Sequence, residues 1–217
     1  MLDDRTSITC PACGETVQAP VYTSVNVTAN PAQKRGVLDG ELFTCTCPIC
    51  GQETRLVYPF LYHDMQKRVM LYFCPEGFDV DLEELNEQME YDSPFGGSGY
   101  TLRNCVSYEM LLEKIRIFDM ELDDRVVELC KLVLMDELAE EHPELDVKRA
   151  LIDVRGEQIY IAFIDVDGDV FAIELPDDVY NRIYDLYFDV VEEYTDEGFA
   201  LIDSDWAVQT VRYAMMG

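Results

Sequence analysis

Cys10-Pro11-Ala12-Cys13-Gly14 and Cys47-Pro48-Ile49-Cys50-Gly51 are two copies of one short pattern, and they decide how the N-terminal part of the chain folds. In each copy, proline fixes φ near about −65° after the first cysteine, and glycine permits the left-handed conformation that closes the loop. Two such turns together supply four thiolates, the ligand set of a tetrahedral structural zinc site with Zn–S distances of about 2.3 Å. The predicted zinc ligands are Cys10, Cys13, Cys47 and Cys50.

The same Cys-Pro-x-Cys pattern also occurs in thiol–disulfide oxidoreductases, where the first cysteine lies at a helix N-terminus that lowers its pKa. Neither copy here precedes a helical pattern. Residues 16–27 alternate with period two and are rich in β-branched side chains, and residues 53–58 are also typical of a strand. Cysteine turns between strands are typical of zinc ribbons, so the spacing favours zinc over a redox dithiol.

Three further segments accompany the two turns: Val25-Asn26-Val27-Thr28, Leu38-Asp39-Gly40-Glu41-Leu42 and Tyr58-Pro59-Phe60-Leu61-Tyr62-His63-Asp64. With these segments the N-terminal part of the chain resembles the CpXC family, which is defined by paired Cys-Pro-x-Cys motifs. The resemblance implies that the four cysteines bind a metal. It implies no particular reaction.

Charge divides the chain unevenly. The formal net charge is −28, but residues 1–75 carry seven acidic and six basic side chains, whereas residues 76–217 carry 37 acidic and ten basic ones. We therefore expect a zinc-ribbon-like module at 1–78, an acidic helical region at 79–142 that completes or links the module, and an acidic α+β domain at 143–217. The glycine-rich stretch at 93–99 is predicted to be a connector.

The predicted fold class is α+β, with an N-terminal zinc-ribbon-like β module followed by helices and a small antiparallel sheet with helices. Apolar periodicity predicts helices at 81–91, 107–118, 124–141, 177–194 and 204–215, and strands at 149–154, 158–165 and 170–175. The strand at 158–165 is apolar on both faces and should lie at the centre of its sheet. The helix at 124–141 should be buried, centred on Leu129, Leu132, Val133 and Leu138.

Composition also limits the partners and the compartment. Nucleic-acid binding requires Lys and Arg to replace phosphate counterions, and the acidic remainder of this chain opposes it. The start, Met1-Leu2-Asp3-Asp4, is not the basic start of an export signal, and no apolar run reaches the ~18–20 residues of a membrane span. We expect a cytoplasmic protein whose eight cysteines stay reduced as ligands or core thiols.

These observations favour a role without catalysis, because four thiolates leave zinc no open position for water. The leading hypothesis is a zinc-binding protein-interaction or adaptor protein with an unidentified protein partner. The alternative is a thiol-based redox sensor in which oxidation releases zinc, assisted by Cys45, which on a strand shares a face with Cys47. A third interpretation is a hydrolase built on His63 and Asp64, with the carboxylate orienting the imidazole as a base.

Overall fold

The computed structural model describes residues 3–91, 99–156, 158–195 and 197–216. Most of the predicted glycine-rich connector, residues 93–98, lies outside these ranges. The chain divides into two compact units, the first ending at Leu112 and the second beginning at Glu113. The sequence-based domain boundaries at 78 and 142 stay predictions.

The first unit consists mainly of short strands. Its elements are β1 (Asp3–Thr9), β2 (Thr16–Tyr22), β3 (Ser24–Asn26), α1 (Pro31–Leu38), β4 (Thr44–Thr46), β5 (Glu53–Arg55), β6 (Phe60–Asp64), β7 (Val69–Phe73), α2 (Leu82–Tyr91), β8 (Thr101–Cys105) and the start of α3 (Tyr108–Asp119). β1 pairs with β2 and β4 with β5, both antiparallel, so that each Cys-Pro-x-Cys-Gly turn closes a hairpin. The other strands form a sheet in the order β3-β6-β7-β8.

Both strand-like runs beside the cysteine turns are shorter than the sequence predicts. The run at 16–27 is divided, because the chain leaves the first hairpin after Tyr22 and β3 joins the other sheet, parallel to β6. The run at 53–58 is a strand only to Arg55. Pro59 lacks an N–H donor and restricts the backbone of the residue before it, which disfavours a continuous strand up to β6.

The four-stranded sheet is amphipathic, and one of its faces forms much of the core of the first unit. Val25, Tyr62 and Leu71 lie in register on this face and are buried. The ring of Phe43 packs edge-on against Phe60 there, with ring centroids 5.1 Å apart. The opposite face carries the alternate residues of the same strands.

The second unit contains the rest of α3 and a three-stranded antiparallel sheet with helices. Its further elements are α4 (Asp124–Glu141), β9 (Val147–Arg155), β10 (Gln158–Asp165), β11 (Val170–Glu174), α5 (Asp177–Tyr194) and α6 (Ser204–Met216). The strand order is β11-β10-β9, which confirms the predicted central position of the apolar strand. Helices and sheets together make the molecule α+β, as the sequence predicts. No helix in the described parts of the chain is long and apolar enough to cross a membrane.

Helix α4 is buried, but not in the way its sequence suggests. Leu129 and Leu138 are buried as predicted, whereas Leu132 and Val133 are only partly covered. Three further buried positions of the helix are charged: Asp124, Glu128 and Lys131. The sequence-based prediction therefore underestimated how many polar groups this helix places in the interior.

These buried charges of α4 form one network with two residues of α3. Nζ of Lys114 lies 2.9 Å from Asp124 and 3.4 Å from Glu128. Nζ of Lys131 lies 2.8 Å from Glu128 and 3.1 Å from Glu113. Two ammonium groups thus meet three carboxyl groups, and a carboxylate oxygen of Glu113 also accepts a hydrogen bond from the backbone N–H of Ile152 on β9 (2.6 Å).

Burial and charge act in opposite directions within this network. Burial alone would lower the pKa of Lys114, but the carboxylates of Asp124, Glu128 and Glu113 outweigh it and hold that pKa above its ordinary value. Burial raises the pKa of Glu128, and the two lysines only partly oppose the rise. Lys114 therefore stays charged and compensates carboxylates that are costly to bury alone.

Candidate metal centre

The two Cys-Pro-x-Cys-Gly turns have the same backbone geometry. In the first, the N–H of Gly14 donates to the carbonyl of Cys10 (2.9 Å), and in the second the N–H of Gly51 donates to the carbonyl of Cys47 (2.9 Å). Gly14 and Gly51 have φ values of 74° and 76°, in the left-handed region. A Cβ at either glycine would meet no atom within 4 Å, so backbone conformation, and not space, requires glycine there.

This geometry brings the four predicted ligands together. Their sulfur atoms all lie within 4.8 Å of one another. The Sγ atoms of Cys10 and Cys50 are 3.6 Å apart, and those of Cys13 and Cys47 are 3.8 Å apart. A tetrahedral ion with Zn–S bonds of about 2.3 Å requires sulfurs separated by about 3.8 Å. The donor set and its spacing therefore fit a four-coordinate metal ion.

The two turns contribute to the site in the same asymmetric way. The first cysteine of each turn is buried, with Cys10 1% and Cys47 3% exposed, whereas Cys13 and Cys50 are exposed. Each of these two sulfur contacts joins a buried cysteine of one turn to an exposed cysteine of the other. A metal here would cross-link the β1–β2 hairpin to the β4–β5 hairpin.

The thiols of the cluster differ in acidity. The backbone amides of Cys13 and Ala12 lower the pKa of Cys10 to about 6. The backbone amide of Glu15 lowers the pKa of Cys13, but desolvation and the neighbouring sulfurs outweigh it and raise that pKa to about 12. Four sulfurs this close do not all ionise without a cation, so metal binding must displace protons from the cluster.

A small apolar cluster supports the site from beneath. Cys10, Cys47 and Cys45 are buried in it together with Val17, Ala19 and Leu56. The sequence pattern predicts the alternating residues of β2. It places Leu56 and Tyr58 in a strand and gives no sign that they pack against this cluster. Tyr58 packs against the cluster, and its hydroxyl donates to the carbonyl of Leu42 (2.7 Å).

Cys45 is buried beside the predicted ligands but is not a member of the converging group of four. Its Sγ lies 4.0 Å from the carbonyl oxygen of Thr46. No disulfide joins any of the eight cysteines, all of which are among the described residues. Cys45 is thus a neighbour of the cluster, and its part in redox chemistry stays a hypothesis.

The geometry of His63 and Asp64 does not suit a catalytic pair. They are consecutive residues of β6, so their side chains point to opposite faces of the sheet. A carboxylate oxygen of Asp64 accepts hydrogen bonds from the backbone N–H groups of Gln66 and Lys67, which orders the turn into β7. Nε2 of His63 lies 3.3 Å from the hydroxyl of Tyr100, and burial lowers the pKa of the imidazole. Asp64 therefore stabilises a turn and does not orient His63.

Comparison with known proteins agrees with the resemblance noted in the sequence. No curated protein and no solved structure shows significant similarity to the chain. The family model described as "CpXC protein" matches residues 8–131, more than half of the chain, and this match includes both cysteine turns. The chain therefore belongs to the CpXC protein family.

Proposed function

We propose that this protein binds one zinc ion through Cys10, Cys13, Cys47 and Cys50, and that it acts without catalysis by binding a protein partner. The observation that carries the proposal is the convergence of four thiols at the spacing of a tetrahedral four-sulfur site. Thiolate ligands in this geometry favour zinc among the common divalent ions. Such an ion has no vacant position for a water molecule, which argues against a hydrolytic centre.

The zinc ion would fix two hairpins that have little core of their own. The apolar cluster beneath the cysteines contains six buried residues, and three of them are cysteines. Small modules of this kind obtain much of their folding energy from the metal, and apparent binding free energies for structural zinc are about 10–16 kcal/mol. The role of Cys10, Cys13, Cys47 and Cys50 is therefore to hold a binding surface in shape.

The charge of the molecule supports a protein partner over a nucleic acid. The first unit, up to Leu112, has 16 acidic and seven basic residues, and the second has 28 acidic and nine basic ones. Both units repel a phosphate backbone, and both attract a basic protein surface at low ionic strength. The cytoplasmic location predicted from the sequence belongs to the same proposal.

Cross-linking followed by affinity capture from the producing cells tests the interaction. Full-length wild-type protein is compared with Cys13→Ser, which removes one proposed ligand, and with Cys74→Ser, a free cysteine of the same unit that lies outside the cluster. We expect a partner that wild type and Cys74→Ser retain and that Cys13→Ser loses at least tenfold. The same set of captured proteins for all three variants would contradict a zinc-dependent interaction.

A second candidate function, a thiol-based redox sensor, is favoured by the position of Cys45 beside two ligands in the same apolar cluster. In a sensor, mild peroxide would oxidise pairs of thiols to disulfides, and zinc would leave in proportion. The expected result under the leading proposal is a constant thiol count and retained zinc at the same peroxide dose. Zinc release that a reductant reverses, and that Cys45→Ala slows, would favour the sensor instead.

A further inference from the structure

An open cavity of about 740 Å³ lies in the first unit, between the β1–β2 hairpin and the four-stranded sheet. This volume is within the range of about 300–1,000 Å³ that is typical of small-molecule sites. One wall comes from the hairpin, through Thr6, Ile8 and Val21. These residues share a hairpin face with Val17 and Ala19, so the face that packs beneath the cysteines continues into the cavity.

A second wall is the sheet face opposite the core. Ser24, Leu61 and Tyr72 lie in register on β3, β6 and β7, and all three line the cavity. Direct register partners point to the same side of a sheet, so these three side chains form a row across it. Leu61 and Tyr72 are only half-buried in the row, which leaves part of their apolar surface available to a ligand.

The remaining wall is the segment between β5 and β6, which contains Leu56, Val57, Tyr58 and Pro59. Val57 is 57% exposed, an unusual position for a valine that borders an apolar cavity. The hydroxyl of Tyr58 is already hydrogen-bonded to the carbonyl of Leu42, so this residue offers the cavity mainly its ring. This wall is therefore apolar as well.

The side chains that line the cavity disfavour a charged ligand. Among the described lining residues none has an acidic or basic side chain, and their polar side-chain groups are the hydroxyls of threonine, serine and tyrosine. Burial raises the pKa of Tyr58 to about 12 and raises the pKa of Tyr72, so both phenols are neutral near pH 7. A buried ion would have no countercharge here and would lose its hydration, which is costly.

The edge of the cavity adds a bias against anions. Phe78 lines the cavity and is 43% exposed. Its neighbours in the chain include Glu76 and Asp79, which are both exposed. Negative charge at this edge, on a chain of net charge −28, repels a carboxylate or a sulfonate.

The walls of the cavity are joined through the cysteine cluster. The hairpin wall includes the strand that leads into Cys10, and the third wall follows the strand that leaves Cys50. Ile8, Val21 and Leu56 belong both to the cavity lining and to the apolar cluster beneath the sulfurs. A metal ion that cross-links the two turns therefore also fixes the distance between two cavity walls.

We propose that this cavity binds a small, uncharged and predominantly apolar molecule, and that the four-cysteine metal site keeps the cavity in its binding shape. The first statement is independent of the proposed protein partner. The second rests on the proposed metal binding. The hydroxyl groups of the lining would orient a ligand that carries one or two neutral hydrogen-bonding groups.

Two fluorescent probes with the same aromatic framework test the ligand class on full-length protein at about 0.15 M salt, where long-range surface charge is largely screened. N-phenyl-1-naphthylamine is neutral, and 8-anilinonaphthalene-1-sulfonate adds one negative charge. We expect saturable binding of the neutral probe at one site per chain, at least tenfold tighter than binding of the anion. Equal affinity for the two probes, or no saturable binding of the neutral one, would overturn the proposal.

Two matched valines locate the site. Val57→Glu places a carboxylate at the cavity, and Val166→Glu makes the same change at a valine of equal exposure (57% and 56%) in the second unit. We expect Val57→Glu to weaken the neutral probe at least tenfold and Val166→Glu to leave its affinity unchanged. Equal effects of the two variants would place the probe elsewhere and refute the site. If the wild-type protein is a dimer and Val57→Glu converts it to a monomer, a second copy of the chain occupies the cavity. That result would also refute the small-molecule site.

Metal stoichiometry separates this proposal from the proposed function. Protein that carries one metal ion but binds no probe refutes the cavity and leaves the metal site intact. Protein that carries no metal as purified refutes the proposed function. Removal of the metal by a chelator should abolish probe binding, and its restoration should recover it; unchanged binding after removal would refute the metal dependence.

Discussion

Replacing Cys13 with serine is expected to unfold both cysteine-bearing hairpins while the second unit stays folded. In the wild type, four sulfur atoms lie within 4.8 Å of one another. The substitution leaves three of them. Under the proposed function, weaker metal binding would make the hairpins less stable, because the metal would supply much of their folding energy. Backbone hydrogen exchange should lose protection across β1, β2, β4 and β5.

The contrast within the molecule makes this prediction specific. β6 and β7 have their own aromatic core around Phe43, Phe60 and Phe73, so their protection should fall less. Cys74→Ser is the matched control, since Cys74 lies in the same unit but outside the converging group. Unchanged protection of both hairpins in metal-depleted Cys13→Ser protein would rule out a structural metal.

Replacing Lys114 with methionine is expected to destabilise the second unit by about 3–5 kcal/mol, the usual cost of removing one partner from a buried ion pair. Lys114 is fully buried and contacts both Asp124 and Glu128. Without it, the network described above retains one lysine, Lys131, and three carboxyl groups. Urea unfolding followed by fluorescence of Trp206, the single tryptophan of the chain and a residue of α6, reports on this unit. The midpoint should fall by at least about 1 M.

A control variant, a double variant and a pH series test whether the buried charge of Lys114 causes the loss of stability. Lys148→Met, at an exposed lysine of β9, should leave the midpoint unchanged. Adding Asp124→Asn to Lys114→Met should recover part of the loss, because it removes a buried negative charge that Lys114 compensates in the wild type. The difference in free energy of unfolding between Lys114→Met and wild type should also shrink as the pH falls toward about 4. A carboxyl group whose pKa is higher in the folded state than in the unfolded state takes up its proton first in the folded state, and this protonation stabilises the fold. A Lys114→Met midpoint equal to that of wild type would show that the network contributes nothing to stability.

The cysteine cluster could be predicted from the sequence because its information is local. Each turn needs only proline, two cysteines and a glycine with positive φ, and both glycines have that φ. The central strand β10 could be predicted for a similar reason. Apolar residues on both faces of a strand are typical of the middle of a sheet, where both faces are covered, and β10 lies between β11 and β9. In both cases a short run of residues carries the whole signal.

Other features depend on long-range contacts and escaped prediction. Helix α1 has the sequence PAQKRGVL, which lacks an apolar stripe, and β8 is a short strand that pairs with β7 only after an intervening helix. The burial of Lys114 could not be foreseen either, because its compensating carboxylates lie 10 and 14 residues further along the chain. The apolar cavity arises from segments that meet only in the folded unit.

The proposed function requires that Cys10, Cys13, Cys47 and Cys50 hold one zinc ion in a closed tetrahedral shell. X-ray absorption at the zinc edge, combined with metal analysis of protein purified under reducing conditions, tests it most directly. We expect one zinc per chain, surrounded by four sulfur atoms at about 2.3 Å. A shell that contains oxygen or nitrogen, or metal-free protein whose paired cysteines cycle between dithiol and disulfide, would contradict it.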